Sequence, residues 1–162
     1  LAVPFTGMII STREPIEMRK ELLNIGISQV SAGSTVEVGG YDAQKHKSTQ
    51  FEVVDNRPAA DIVKWLMEEG FIPSFCTSCY RMGRTGDRFM NLAKSGEIKN
   101  VCHPNALMTL YEYMLDYGDE DLRLKVEATI DREIPKIQDE KIRNLVIANI
   151  NRLTEGKRDV FL

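Results

Sequence analysis

The sequence predicts an α/β chain in two parts. Residues 1–70 read as the closing βα units of a parallel sheet or (β/α) barrel, and residues 71–162 as a mainly helical module. Three observations predict this. Two short apolar runs, Gly7–Ser11 and Ile27–Ser31, flank one helical stretch. After Gly70 that alternation stops, and apolar residues recur at helical spacing to Gly156. All three cysteines, Cys76, Cys79 and Cys102, fall in the second part.

Taken in order, Leu1 to Ile10 reads as a loop entering a buried strand, with no initiator Met and no helix cap before it. Such a short strand needs neighbours to pair with, so the expectation is the C-terminal part of a longer protein. Ser11-Thr12-Arg13 ends the run. Glu14-Pro15 then opens a helix, with Pro near its first position and acid in its first turn, running through Ile16, Leu22 and Leu23. Gly26 closes it where a C-terminal glycine belongs. Ile27-Ser28-Gln29-Val30-Ser31 is the second strand, followed by Ala32-Gly33-Ser34. In parallel sheets and barrels, active sites form on the loops after the strands' C-terminal ends. Ser11-Thr12-Arg13 and Ser31 to Ser34 both occupy such ends.

Gly39 to Gln50, with His46, is polar and reads as a surface loop. After Phe51-Glu52-Val53-Val54, Asp55 or Asn56 is expected to cap a helix carrying Ile62, Val63, Trp65, Leu66 and Met67, which stops at Gly70. Phe71 to Phe75 leads into Cys76 as an extended segment. Asp87–Ala93 reads as a short helix. Cys102-His103-Pro104-Asn105 is expected just before another, with Leu107, Leu110, Tyr111 and Met114 on one face. Asp119–Lys136 places Leu122, Val126 and Ile130 on one face. Asp139–Gly156 does the same with Ile142, Leu145, Val146 and Asn149.

With 162 residues, 43% hydrophobic and 28% charged, the chain has the balance of a soluble globular protein. A net charge of -3 gives no reason to expect nucleic acid or an anionic membrane as partner. No apolar run approaches the ~20 residues of a membrane span, and no signal-peptide pattern opens the chain. An odd cysteine count with one C-x-x-C argues for a reducing compartment, so the expected location is cytoplasmic.

Cys76-Thr-Ser-Cys79, with Cys102 following after twenty-two residues, carries the chemistry. Three thiolates without a fourth cysteine suit an iron–sulfur cluster with one iron open to another ligand. A structural zinc site would draw on His103 as fourth ligand, although adjacent residues rarely aim both side chains at one metal. The inert alternative is three thiols behaving as small hydrophobes. Arg13 offers a planar fork for a carboxylate, and Ser31 can accept from an ammonium. The plainer alternative pairs Arg13 with Glu14 or Glu17 and leaves the serines in turns. Gly83-Arg84-Thr85-Gly86 lacks the preceding strand and following lysine of a phosphate loop. It reads as a turn after the cysteine pair, with Arg81 and Arg84 placed to balance negative charge.

With these residues assembled, the chain resembles the C-terminal part of the radical S-adenosylmethionine tyrosine lyases that mature [FeFe]-hydrogenase. The resemblance runs nearly end to end. It is carried by Val3-Pro4-Phe5-Thr6-Gly7-Met8-Ile9, Gly26-Ile27-Ser28-Gln29-Val30-Ser31-Ala32-Gly33, Ile72-Pro73-Ser74-Phe75-Cys76-Thr77-Ser78-Cys79-Tyr80-Arg81, and Glu155-Gly156-Lys157-Arg158-Asp159. The Cys-x2-Cys-x22-Cys arrangement is its specific part.

The resemblance implies that residues 1–70 are the last strands and helices of a radical SAM barrel, and that residues 71–162 form a helical auxiliary iron–sulfur domain. In that family a first [4Fe-4S] cluster, on a Cys-x3-Cys-x2-Cys loop, cleaves S-adenosylmethionine. The radical so formed breaks the Cα–Cβ bond of tyrosine, giving p-cresol and dehydroglycine. The C-terminal cluster, with an additional labile iron, helps turn dehydroglycine into CO and cyanide for the hydrogenase H-cluster. Carried over by position, Cys76, Cys79 and Cys102 match the ligands of the auxiliary [4Fe-4S] cluster. Arg13 and Ser31 are the candidates for gripping the tyrosine carboxylate and amine. The first-cluster loop and the N-terminal part of the barrel are not in this sequence, so this segment alone is expected to be inactive. The expected partners are that N-terminal part and the hydrogenase maturation proteins. The alternatives are a thiamine-pathway 2-iminoacetate synthase, which shares the barrel but is not expected to carry this second cluster, and a non-catalytic metal-binding module.

Overall fold

The computed structural model describes residues 7–34 and 53–162. Readings that fall on 1–6 and 35–52, including the entry loop and the His46 loop, lie outside the described residues. Contacts divide the chain into two units, Leu1–Ile62 and Val63–Leu162. The fold is mostly helical with few strands.

In the first unit, β1 (Ile9–Ile10) and β2 (Gln29–Val30) pair in parallel, Ile9 opposite Gln29 and Ile10 opposite Val30. Between them runs α1 (Ile16–Asn24). Pro15 stands one residue earlier than the first helical position, at the cap. It still presets the backbone angle for entry. Gly26 ends α1 at φ 102°, where a Cβ would be strained, and Ile27 N–H returns to the Leu22 carbonyl. One strand–helix–strand unit is visible, and the described residues close no barrel.

Asp55 does not cap the next helix. Three further residues, Asn56, Arg57 and Pro58, come first without regular structure, and α2 spans Ala59–Glu68. Pro58 accounts for the shift, since the residue before a proline is pushed out of helical conformation. Asp55 is instead buried, paired with Arg19 and Arg57. The division between the units falls within α2, and Gly70, at φ 86°, lies just beyond its C-terminal end.

The second unit packs around α5 (Lys99–Tyr117), α6 (Glu120–Glu133) and α7 (Glu140–Thr154). Its core joins Val63 and Met67 of α2 to Leu107, Leu110 and Met114 of α5, Leu122, Val126 and Ile130 of α6, and Val146 and Leu153 of α7. The apolar faces expected for α5 and α6 are the buried ones. On α7 the expected face is rotated: Leu145 is exposed, while Leu153 completes the core. Asn149 is buried there, its amide 3.5 Å from the Met108 sulfur and its oxygen accepting from Arg152. Asp119 and Asp139 accept from the first-turn N–H groups of α6 and α7, which explains why both helices start there. A 3-10 turn, Ile134–Lys136, follows α6.

Two short helices follow Cys76: α3 (Ser78–Arg81), which carries Cys79, and α4 (Gly86–Ser95). The sequence reading found α4 but not α3. The start of α5 is a correction: Cys102, His103 and Pro104 lie inside the helix, not before it. Residues 99–101 are held by i to i−3 bonds to Gly96, Glu97 and Ile98. Pro104 follows in the second turn, where its missing N–H forfeits one helical bond.

Candidate metal centre and strand-end site

The chain approaches the first cysteine pair along Phe71–Phe75, which is fixed to α5. Phe75 N–H donates to Thr109 Oγ1 at 3.2 Å, and its ring stacks on Tyr113 with centroids 4.5 Å apart. Cys76 then turns the chain into α3. Ser78 N–H donates to Cys76 Sγ at 3.4 Å, and Ser78 Oγ lies 3.2 Å from the same sulfur. Cys76 and Cys79 are half-buried, while Cys102 is exposed as a residue. The Cys102 thiol is nonetheless pushed above its ordinary pKa. Partial burial is the main cause, the negative charges of Cys79 and Cys76 add to it, and Arg84 opposes. The three sulfurs from two stretches of chain are thus within electrostatic reach of one another.

Among the described residues, no group of three or more His, Cys, Asp or Glu side chains stands in metal-ligating geometry. The donor set nevertheless suits an iron–sulfur cluster by its chemistry: three free thiols, none in a disulfide, with Cys76, Cys79 and Arg84 all acting electrostatically on Cys102. His103 does not join them. Its Nε2 faces Glu133 Oε2 of α6 at 3.4 Å, because neighbouring helical residues point about 100° apart. Of the two arginines read as charge-balancing, Arg84 has that position. Arg81 pairs with Asp159 and lies over the Phe161 ring at 4.6 Å. Beside Cys76 opens a cavity of about 270 Å³, walled by Phe75, Tyr113, Tyr117, Arg81, Glu112 and Phe161 among others.

In the first unit, Arg13 and Ser31 both lie just past the C-terminal ends of the paired strands. Arg13 is exposed, with its N–H donating to Ser11 Oγ at 3.0 Å. Ser31 N–H donates to the Ile10 carbonyl at 2.9 Å, and its own carbonyl accepts from Arg19. The feature that sequence reasoning missed is the brace beneath them. Asp55 N–H donates to the Thr12 carbonyl at 2.9 Å, and the Arg57 carbonyl accepts from Gly33 N–H at 3.0 Å. Segment 53–57 therefore ties both strand-end loops together. Its anchor is the Asp55 carboxylate, which is held from its usual 3.8 down to about 2, first by hydrogen bonding from Arg57, with burial opposing and Arg19 adding to the lowering. Burial lowers the Arg19 pKa and Asp55 opposes, while the hydrogen bond to Asp55 raises that of Arg57. The only local signal in the sequence was Asp55 and Arg57 two residues apart; Arg19, inside α1, gave none.

Comparison with known families first gives a match to part of the chain. Residues 1–72 match the Biotin and Thiamin Synthesis associated (BATS) domain. The particular likeness then covers the whole chain. A solved structure of HydG, described as a maturase of the [FeFe]-hydrogenase, matches 99% of it with a TM-score of 0.91 and 48% sequence identity. This chain is therefore similar throughout to the C-terminal part of HydG, and it spans 35% of that protein's length. A search of curated proteins gives no match. Among the described residues, no helix is long and apolar enough to cross a membrane.

Proposed function

We propose that the chain is the C-terminal segment of a radical SAM tyrosine lyase that cleaves tyrosine to p-cresol and dehydroglycine and forms CO and cyanide for the [FeFe]-hydrogenase H-cluster. The observation that carries this reading is the end-to-end likeness to HydG at 48% identity. The mutual reach of Cys76, Cys79 and Cys102 accords with it. These three residues would hold an auxiliary [4Fe-4S] cluster, while the protein ligand of its additional labile iron would come from the earlier part of the barrel. When bound, such a cluster supplies an open iron position at which small ligands exchange.

The remaining roles belong to side chains of the first unit. Arg13 would receive the tyrosine carboxylate as a two-pronged pair, and Ser31 would accept from its amine. The exposed apolar residues Ile9 and Ile25, at 64% and 63%, suit a strand and helix end that meet the earlier barrel units. S-adenosylmethionine and a second [4Fe-4S] cluster would belong to those units. Hydrogenase maturation proteins would receive the products.

The match of residues 1–72 to a domain named for biotin and thiamin synthesis favours a second reading, a thiamine-pathway 2-iminoacetate synthase. One experiment separates the two. In the complete protein, Cys76→Ala should leave p-cresol formation within about twofold of wild type while abolishing CO release. Wild-type protein that makes p-cresol but neither CO nor cyanide would establish the second reading. Equal loss of p-cresol and CO in the variant would overturn the division of labour.

A further inference from the structure

We infer that Ser78 is a positioning residue for Cys76. Its hydroxyl proton is aimed at the Cys76 sulfur by Asn105, Arg84 and the main chain of Leu162. The inference rests on the reading of Cys76 as a cluster ligand. It begins from hydrogen-bond counting: a serine hydroxyl has one proton to give and two lone pairs to fill. Asn105 Nδ2 donates to Ser78 Oγ at 3.0 Å, and Arg84 Nη2 donates to it at 2.9 Å. Both groups are donors only, so both lone pairs are taken. The remaining neighbour is Cys76 Sγ, 3.2 Å away, which as a free thiol donates to Ser78 Oγ; deprotonated as a cluster ligand it has no proton to give and becomes the acceptor for the Ser78 hydroxyl.

The orientation of the Asn105 amide is itself fixed. Leu162 N–H donates to Asn105 Oδ1 at 2.8 Å, so the amide nitrogen must face Ser78. The Leu162 carbonyl accepts from Arg84 at 2.8 Å, closing the ring of contacts. Ser78 and Asn105 are 2% and 0% exposed, so water does not compete for these groups. The peptide at Leu162 thus orients an amide, the amide and a guanidinium orient a hydroxyl, and the hydroxyl with the Ser78 N–H gives Cys76 Sγ two donors. Hydrogen bonds to a cluster's sulfur ligands stabilise its reduced, more negative state and raise its reduction potential.

The test uses the complete protein, reconstituted anaerobically with iron and sulfide. Iron content and the one-electron reduction potential of the auxiliary cluster are followed by electron paramagnetic resonance. Ser78→Ala should load iron and shift that potential to a more negative value. Ser78→Thr, which keeps the hydroxyl, should restore it. Asn105→Asp still accepts from Leu162 N–H but now accepts from Ser78 as well, so it should shift the potential the same way. A loaded Ser78→Ala protein with the wild-type potential overturns the inference. If Ser78→Ala does not fold, Asn105→Asp decides by the same criterion. Cys76→Ala keeping full iron content and an unchanged spectrum would instead overturn the reading of Cys76 as a ligand, an outcome the serine and asparagine variants cannot produce.

Discussion

Asp55→Asn removes the charge at the centre of the strand-end brace. The carboxylate and the Arg19 guanidinium are 1% and 0% exposed, so the pair is shielded from solvent. A carboxyl lowered from 3.8 to about 2, at about 1.4 kcal/mol per pH unit, contributes roughly 2.5 kcal/mol to stability. Because its folded pKa is depressed, that contribution is complete above about pH 4 and is lost as pH falls through about 2. The substitution also leaves Arg19 buried beside a neutral partner, and losing one member of a buried pair typically costs about 3–5 kcal/mol. The expected loss at neutral pH is therefore about 3 kcal/mol. Urea unfolding of wild type and variant at pH 7, 4 and 2 measures it. The two stabilities should differ most at pH 7 and converge toward pH 2. A difference of the same size at all three values would refute the electrostatic account and leave only a packing defect.

Arg13→Lys in the complete protein should raise the Michaelis constant for tyrosine about tenfold with a smaller effect on kcat, because a point charge cannot reproduce a two-pronged fork. Steady-state kinetics checks it, and an unchanged constant removes Arg13 from the site. Asp139→Ala deprives Lys141 and Ile142 N–H of their acceptor and should lower stability by about 1 kcal/mol. Chemical denaturation reads that as a shifted midpoint.

What was legible in the sequence was what local chemistry decides. Asp119 and Asp139 announce helix starts because a short carboxylate before an apolar-periodic run satisfies the first N–H groups. The same logic misplaced Asp55, whose partners Arg19 and Arg57 are assembled by the fold and not by neighbours in sequence alone. Pro104 suggested a boundary, yet α5 begins five residues earlier, at Lys99, because tight turns precede the proline. The cysteines stood out by their rarity. Ser78 and Asn105 did not, since a serine and an asparagine gain meaning only when burial restricts whom they can meet.

The face of α5 that carries Asn105, Thr109 and Tyr113 meets Phe75 and Ser78 rung by rung. The residues separating Cys79 from Cys102 comprise the end of α3, all of α4 and the first residues of α5, so a loop lengthened at Gly96 would leave the ladder intact. One residue inserted between Cys102 and Thr109 would instead swing half the rungs through about 100°. Insertion tolerance should therefore be high before the third cysteine and absent just after it, the reverse of what the spacing of the cysteines alone would suggest.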